Sequence, residues 1–297
     1  MAVKITFRDN LPPVMKGQSR IRPANAQPEN EKVKEILTEL DDLIGLGTVK
    51  NLIYELQAFI EIQKCREKLN LTSEPTVLHM IFSGNPGTGK TTVARIVGKL
   101  FKEIGVLNKG HILECERADL VGEYIGHTAQ KTREQIKKAL GGILFVDEAY
   151  SLARGGEKDF GKEAIDAMVK AMEDQKNNLV IILAGYKNEM DFFIESNPGL
   201  RSRFPIHIFF PDYSAEELYA IGESMLSKRQ YELSPEAKIT FKKKVQYTNS
   251  LHPYSGNARM VRNIIEKTIR KQAVRLYQKA KPSREDLIQI KEEDFRD

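Results

Sequence analysis

The most informative segment of the sequence is a glycine-rich run that ends in a lysine and two threonines. Its residues are Gly84, Asn85, Pro86, Gly87, Thr88, Gly89, Lys90, Thr91 and Thr92. The first eight match the pattern GxxxxGK followed by Ser or Thr, placed between an apolar stretch and a helical pattern, where backbone N–H groups form a phosphate cradle. We expect Lys90 to reach the β- and γ-phosphates of a nucleotide and the Thr91 hydroxyl to bind Mg²⁺.

Two acidic residues form a second candidate for chemistry. Asp147 and Glu148 come directly after the apolar run at residues 143–146. Alone, this pattern is also typical of an ordinary buried strand that ends in an acidic turn. Together with the phosphate loop, it predicts that Asp147 holds Mg²⁺, often through water, and that Glu148 polarises an attacking water as a general base. The Asp-Glu pair favours hydrolysis over phosphoryl transfer to a metabolite.

Short apolar runs provide candidate strands to position these residues. The runs are residues 77–82, 112–115, 143–146, 179–184 and 206–210. Helical patterns separate most of them, including residues 91–104 and 129–140. Such alternation is typical of a parallel sheet with helices on both faces, so we predict an α/β fold.

The pattern changes beyond Pro211, where we expect an all-helical domain to begin near residue 212. Ser214 and Glu217 predict a capping box, Ser234 and Pro235 predict a helix start, and residues 257–279 predict a long helix. Prolines interrupt the polar first thirty residues. We therefore predict a flexible tail at residues 1–32, an α/β nucleotide-binding domain at 33–211 and a small helical domain at 212–297.

Composition excludes several classes of protein. Lys+Arg 46 against Asp+Glu 41 leaves a formal charge of +5, which permits a nucleic-acid partner but does not argue for one. The 2 cysteines exclude a disulfide scaffold and a cysteine-based zinc site. Because no apolar run is long enough for a membrane span and charges interrupt the first residues, we expect a soluble, cytoplasmic protein.

Several motifs taken together resemble those of the AAA+ ATPases. The resemblance covers about residues 36–290 and is strongest to the CbbX/CfxQ branch, which contains red-type Rubisco activases and a sporulation protein of endospore formers. The motifs are residues 43–46, 84–91, 122–127, 145–150, 183–186, 197–203 and 256–259. This resemblance implies a P-loop module with a five-stranded parallel sheet of order 5-1-4-3-2, a helical lid, a ring that usually has six subunits, and ATP with Mg²⁺ as cofactors.

The resemblance also implies roles that spacing alone does not. Ile44 and Gly45 match a segment that lines the adenine pocket, although locally they equally suit an apolar turn between helices. Arg203, with Arg201 beside it, matches the arginine that reaches the γ-phosphate of the neighbouring subunit. Arg259 matches the lid arginine that reads the γ-phosphate of its own subunit.

One position departs from the usual AAA+ pattern. Most members carry Thr-Asn at the end of the fourth strand, where the matching stretch here runs from Ala184 to Asn188. The same branch shares this replacement, so it does not suggest inactivity. Asn188 is a weak candidate for the missing water-orienting residue, which stays unassigned.

Tyr124, with Ile125 after it, indicates what kind of work the ATPase does. The matching loop in ring remodellers faces the central pore and grips polypeptide, whereas a tyrosine packed under the loop would do neither. The leading hypothesis is a ring-forming remodeller of a client protein, with spore formation favoured over Rubisco activation by overall similarity. The alternatives are a nucleotide-dependent switch and a nucleic-acid motor. The motor is not expected, because no residues are left after the lid for a collar or winged-helix domain.

Overall fold

The computed structural model describes residues 31–72, 76–124, 126–155, 160–176, 178–251, 256–279 and 281–296. The predicted tail lies outside these residues, except for Glu31 and Lys32, which already belong to the first helix. The chain divides into two compact units. The first comprises the described residues up to Leu43 with Gly47–Ser83 and Lys90–Phe209, and the second comprises Ile44–Leu46, Gly84–Gly89 and Phe210–Asp297.

A five-stranded parallel sheet organises the first unit, apart from the last residues of two strands. Its strands are β1 (Met80–Gly84), β2 (Ile112–Cys115), β3 (Ile143–Val146), β4 (Val180–Gly185) and β5 (Ile206–Phe210). Their order is β2-β3-β4-β1-β5, with Met80 opposite Ile182 and Ile143 opposite Val180. This is the expected order 5-1-4-3-2, counted from the other edge, and the predicted fold class is confirmed.

Helices cover this sheet. They are α1 (Glu31–Asp41), α2 (Gly47–Lys68), α3 (Lys90–Glu103), α4 (Arg117–Leu120), α5 (His127–Ala139), α6 (Gly161–Asp174), α7 (Lys187–Glu195) and α8 (Pro198–Arg201), with a 3₁₀ turn at Ala149–Ala153. Every residue of β3 and β4 is buried, as expected for central strands covered on both faces. The edge strand β5 alternates between buried and exposed residues. The apolar runs therefore predicted the central strands well.

The second unit is mainly helical but also contains a pair of strands. Its elements are α9 (Ala215–Ser227), β6 (Glu232–Leu233), α10 (Pro235–Leu251), α11 (Asn257–Tyr277), α12 (Arg284–Ile288), β7 (Gln289–Ile290) and a 3₁₀ turn at Glu292–Phe295. Strands β6 and β7 pair in parallel. The expectation of an all-helical domain was therefore wrong, because strands of two residues leave no alternating pattern in the sequence.

Aromatic packing forms the core of this unit. The Phe241 ring lies 5.5 Å from that of Tyr219 and 5.6 Å from that of Phe295. A Cβ atom on Gly222 would lie 2.3 Å from Phe241 Cζ, so only glycine lets α9 approach this ring. The predicted capping box is confirmed: Ser214 Oγ accepts from Glu217 N at 3.2 Å, and the Glu217 carboxylate accepts from Ser214 N.

Candidate nucleotide-binding and hydrolysis site

The phosphate loop has a backbone conformation that requires glycine. Gly84, Gly87 and Gly89 have φ values of 151°, 74° and 97°. A Cβ atom on Gly84 would lie 2.4 Å from Phe210 O, and one on Gly87 would lie 2.2 Å from Gly256 O. Any side chain at these two positions would push the loop away from its neighbours in the second unit. The loop is therefore a tight, close-packed turn, as a phosphate cradle requires.

Helix α3 starts directly after the loop. Lys90 and Thr91 are its first two residues, both half-buried, and Thr92 is exposed. The first N–H groups of a helix have no partner within the helix and carry a partial positive charge. The start of α3 therefore presents N–H groups of the kind that bind anions, and the phosphate site expected there stays a prediction.

Asp147 and Glu148 follow β3 without a break. Asp147 N donates to Cys115 O at 2.9 Å, which continues the ladder between β2 and β3, and Asp147 Oδ1 accepts from Glu148 N at 3.0 Å. Since the strands are parallel, the carboxyl ends of β1 and β3 lie on the same edge of the sheet, as do Lys90 and Thr91 after them and the two acids. The fold thus brings these predicted site residues to one edge.

Glu148 has an unusual backbone. Its φ and ψ are 48° and 43°, in the left-handed region, and its side chain is exposed. Such a conformation costs a non-glycine residue roughly 1–2 kcal/mol and recurs at functional sites. It turns the chain sharply between β3 and the 3₁₀ turn that follows, and it leaves the Glu148 carboxylate outside the buried strand.

The residues present suit Mg²⁺. Thr91 and Asp147 supply hard oxygen ligands, and the Glu148 N–H orients the Asp147 carboxylate. In the part of the chain that the structure describes, no group of three or more His, Cys, Asp or Glu residues could hold a metal. Asp147 would supply one carboxylate, and Mg²⁺ typically takes one or two carboxylates and completes its shell with phosphates and water.

Arg203 is held within its own chain. Its Nη1 donates to Gly199 O at 2.9 Å, and its Nη2 forms an ion pair with Glu173. The Arg203 side chain is 32% exposed and that of Glu173 is 60% exposed. Arg201, the last residue of α8, is exposed. Both arginines lie near the protein surface, where a neighbouring molecule could meet them.

The second unit brings the candidate adenine segment to the phosphate loop. Gly45 has a φ of 67°, and a Cβ atom there would lie 3.2 Å from the Tyr213 ring. A Cβ atom on Gly89 would lie 3.3 Å from Tyr213 Oη and 3.5 Å from Leu46 Cδ1. Ile44 is half-buried, and Arg259 is exposed in the first turn of α11. Gly45 and the loop residue Gly89 thus share Tyr213 as a neighbour.

Tyr124 lies on the surface of the first unit. Its side chain is 66% exposed, and its ring contacts His127 edge-on at a centroid distance of 5.5 Å. A tyrosine packed under the loop would be buried, so the exposure argues against that alternative. Ile125 lies outside the described residues. Asn188 is exposed in the first turn of α7.

Sequence reasoning missed the residues that hold the phosphate loop. Asn85 Nδ2 donates to Asp212 Oδ1 and Oδ2 at 3.0 and 2.9 Å, and Asn257 Nδ2 donates to Asp212 Oδ1 at 2.7 Å. Asn257 belongs to a motif that carried the family resemblance, but only Arg259 received a role there. The only signal in the sequence was that Asn257, a polar residue, lies at the start of a predicted helix. That signal does not identify Asp212 as its partner.

Two family profiles match most of the described chain. The profile described as "ATPase family associated with various cellular activities (AAA)" matches residues 80–212, and the AAA lid domain matches residues 214–297.

Curated relatives align over nearly the whole length. Stage V sporulation protein K of Bacillus subtilis (strain 168) is 51% identical over 98% of this chain and 95% of its own. The chloroplastic ribulose bisphosphate carboxylase/oxygenase activase of Cyanidioschyzon merolae is 46% identical over 95% and 98%. Protein CbbX of Cereibacter sphaeroides is 47% identical over 85% and 82%. The resemblance stated from the motifs is confirmed.

Solved structures support the fold alone. The RuvB Holliday junction branch migration motor of Thermotoga maritima aligns with a TM-score of 0.54 at 18% identity, over 86% of this chain and 69% of its own. Family profiles, relatives and sheet topology agree, and the chain belongs to the AAA+ ATPases, which hydrolyse ATP, with close homologues among the stage V sporulation protein K, CfxQ and CbbX proteins.

Proposed function

We propose that this AAA+ ATPase forms a six-membered ring, as is usual in its family, and uses ATP hydrolysis to pull a segment of a client protein into the pore. The exposed tyrosine between β2 and α5 carries this proposal. Tyr124 is 66% exposed in a loop that includes Gly122 and Gly126, away from the phosphate loop in sequence. An exposed aromatic ring can pack against an extended polypeptide, as the matching loop of ring remodellers is expected to do.

Within each subunit, the proposed nucleotide site uses the residues at the sheet edge and the loop. The N–H groups of Gly84–Gly89 and of the start of α3 bind the phosphates, and Lys90 neutralises the β- and γ-phosphates. Thr91 and Asp147 hold Mg²⁺, which when bound neutralises charge on the phosphate oxygens. Ile44 and Gly45 border the adenine. A Cβ atom on Gly45 or on Gly89 would lie within 3.3 Å of the Tyr213 side chain, and this shared neighbour supports the assignment.

Hydrolysis then depends on three groups of side chains. Glu148 takes a proton from the attacking water, and its exposed carboxylate supports that role. Arg203, with Arg201 beside it, reaches the γ-phosphate of the neighbouring subunit and stabilises charge there. Arg259 contacts the γ-phosphate of its own subunit. Residues 33–211 would then act as the nucleotide-binding domain and residues 212–297 as the lid.

Replacement of the exposed tyrosine tests the proposal. Tyr124→Ala should keep its basal ATPase rate, because Tyr124 takes no part in the proposed nucleotide site, while stimulation by a permanently unfolded polypeptide should disappear. Tyr124→Phe should stay close to the wild type if the ring face grips the chain. Tyr247→Ala is a matched control, since Tyr247 on α10 is also 66% exposed.

The outcomes separate the competing functions. Full stimulation by unfolded polypeptide in a well-folded Tyr124→Ala protein would rule out threading. Stimulation by DNA in place of polypeptide would favour the nucleic-acid motor. A lowered melting temperature with loss of ATPase in Tyr124→Ala would indicate that the tyrosine packs against the structure instead.

The pathway has two candidates. Spore formation is proposed first, on the 51% identity to stage V sporulation protein K. Rubisco activation is the alternative, since the chloroplastic activase is 46% identical over 95% of this chain. Purified protein with ATP should leave inhibited red-type Rubisco inactive if the first candidate is right, and should restore its carboxylation if the second is right. No helix in the described ranges is long and apolar enough to cross a membrane, and the cytoplasmic location stays a prediction.

A further inference from the structure

Three successive carbonyl groups of the phosphate loop accept hydrogen bonds from other residues of the second unit. The pairs are Asn257 Nδ2 to Pro86 O at 3.3 Å, Ala258 N to Gly87 O at 3.2 Å, and Tyr213 Oη to Thr88 O at 3.1 Å. The loop and its donors all belong to that one compact unit. One face of the loop is therefore held by three donors in a row.

These bonds determine where the N–H groups of the loop point. In a trans peptide the C=O and the following N–H point in opposite directions, and the described residues contain no cis peptide bond. Holding the carbonyls of Pro86, Gly87 and Thr88 on one side therefore turns the N–H groups of the next residues to the other side. A phosphate cradle needs N–H groups that converge in this way. A glycine-rich loop without such partners would lose this order, and binding would have to restore it.

Asn257 is the central residue of this arrangement. Its side chain is 1% exposed, and its Oδ1 accepts from Tyr213 N at 3.0 Å. Its Nδ2 donates to Pro86 O and, at 2.7 Å, to Asp212 Oδ1, whose carboxylate also accepts from Asn85. Asn257 has a φ of 46°, a left-handed conformation that asparagine tolerates better than most residues. The left-handed backbone and the hydrogen bonds of the buried amide both favour asparagine at this position.

Tyr213 completes the set of donors under all ordinary conditions. It is buried, and burial, followed by the nearby Glu217 carboxylate, raises the pKa of its hydroxyl to about 12. The hydroxyl therefore stays protonated and keeps donating to Thr88 O at physiological pH.

We infer that Asn257, acting with Asp212, is a positioning residue for nucleotide binding: it holds the phosphate loop in the conformation that directs its N–H groups at the phosphates. The inference rests on the proposed nucleotide site. Asn257 has no assigned contact with nucleotide and acts through the loop.

Four variants test this role. Asn257→Gly keeps the left-handed backbone and removes the side chain, and it should raise the Kd for ATP about 10-fold or more, since buried donors and acceptors lose their partners. Asn257→Asp should be worse, because it sets a second carboxylate against that of Asp212. Asp212→Asn should have a smaller effect. The double variant with Asn257→Asp and Asp212→Asn should bind ATP more tightly than Asn257→Asp alone but less tightly than the wild type, because the carboxylate at position 257 still cannot donate to Pro86 O. In it the new amide at position 212 donates to the carboxylate at position 257, and its oxygen still accepts from Asn85.

The measurements are calorimetric Kd values for ATP, with KM and kcat for hydrolysis and melting temperatures without nucleotide. We expect KM to rise with Kd, while kcat at saturating ATP stays within about 3-fold, because Asn257 acts before the chemical step. Asn70→Asp is the matched control: Asn70 is exposed and also left-handed, with a φ of 53°. It should bind ATP like the wild type.

Wild-type affinity in folded Asn257→Gly and Asn257→Asp would overturn the inference, as would a double variant no better than Asn257→Asp. Lys90→Ala distinguishes this failure from failure of the site itself. If Lys90→Ala loses ATP binding while Asn257→Gly retains it, the site is correct and the positioning role is wrong. If Lys90→Ala binds ATP normally, the site assignment fails and the inference fails with it.

Discussion

At the scale of single residues, Glu148 combines an expected chemistry with an unexpected conformation. Its type and its place after β3 predicted a general base, but nothing in the sequence indicated a left-handed backbone at φ 48°. The reason is local: Asp147 Oδ1 accepts from Glu148 N at 3.0 Å, and the chain must turn into a 3₁₀ helix immediately afterwards. A left-handed conformation at a non-glycine residue recurs at functional sites, which agrees with the role proposed for Glu148.

The proposed role of Glu148 as the general base leads to a first prediction. Glu148→Gln should reduce the rate of ATP hydrolysis at least about 100-fold, because an amide cannot take up the proton of the attacking water. The Kd for ATP should stay within a few-fold, because the amide removes no proposed phosphate or metal ligand. Calorimetry and a phosphate-release assay measure the two quantities.

Glu195→Gln serves as the control, since Glu195 lies exposed at the end of α7 and far in sequence from the proposed site. Turnover within a few-fold of wild type in Glu148→Gln would show that another residue is the base.

At the scale of elements, a buried histidine just before β1 is hydrogen-bonded to β4. His79 precedes β1 and is 3% exposed, its Nδ1 accepts from Ile181 N at 3.0 Å, and its ring lies 5.9 Å from that of Phe204. Burial lowers the pKa of His79 from 6.5 to about 4. The folded protein therefore keeps this imidazole neutral at pH values where the unfolded chain protonates it.

The second prediction follows from the sign of this shift. Because the folded-state pKa lies below the unfolded value, the unfolded state binds the extra proton, and the stabilisation present above pH 6.5 is lost as the pH falls towards 4. Between pH 7 and pH 5, His79 should account for a decrease in the free energy of unfolding of about 2 kcal/mol. His79→Gln, whose amide oxygen can accept from Ile181 N, should remove that part of the pH dependence.

Urea unfolding of nucleotide-free protein followed by circular dichroism provides the measurement. His207→Gln is the comparison variant, since His207 lies on the edge strand β5 and is exposed, and it should retain the wild-type pH dependence. An unchanged pH dependence in His79→Gln would contradict the prediction.

The elements also show how far the sequence could be interpreted. Mainly apolar runs predicted β2, β3 and β5 to the residue, although Glu114 lies within β2 and His207 within β5. The first strand begins at Met80 instead of Val77, which is 37% exposed, since hydrophobicity alone does not distinguish a strand from the chain leading into it. Strands β6 and β7 were missed because their pairing depends on residues far apart in sequence.

The same limit applies to the candidate site. The phosphate loop and the acids after β3 form contiguous motifs, so their chemistry could be predicted from residue types and order. Asn257 and Asp212 contact the loop across long sequence separations, and no local pattern connects them with it. The proposed binding residues could thus be named from the sequence, whereas the residues that hold the loop in place could not.

At the scale of the whole molecule, the question is how one subunit would act on another. Arg203 pairs with Glu173 of its own chain and donates to Gly199 O, although both side chains are partly exposed. An exposed ion pair of this kind contributes little stability, roughly 0–1 kcal/mol. It would therefore hold the guanidinium near the surface without preventing its transfer to a phosphate on a neighbouring subunit.

The third prediction concerns the proposed action of Arg203 at the nucleotide site of a neighbouring subunit. Arg203→Ala should bind ATP with wild-type affinity but hydrolyse it poorly, because each site would lack an arginine worth roughly 10³–10⁵ in rate. Arg229→Ala is the matched control, since Arg229 pairs with Glu266 at 2.8 Å and its side chain is 40% exposed. It should hydrolyse ATP like the wild type.

Mixing two inactive variants makes the test decisive. A Lys90→Ala subunit cannot use its own nucleotide site but keeps an intact Arg203, and an Arg203→Ala subunit keeps an intact site but lacks the arginine for its neighbour. In a head-to-tail ring every site meets the next subunit through the same interface, so a random equal mixture should complete about a quarter of the sites. Phosphate release should therefore rise well above that of either variant alone, towards about a quarter of the wild-type rate. A mixture no more active than its components, with exchange of subunits verified by fluorescence transfer, would show that Arg203 does not act between subunits.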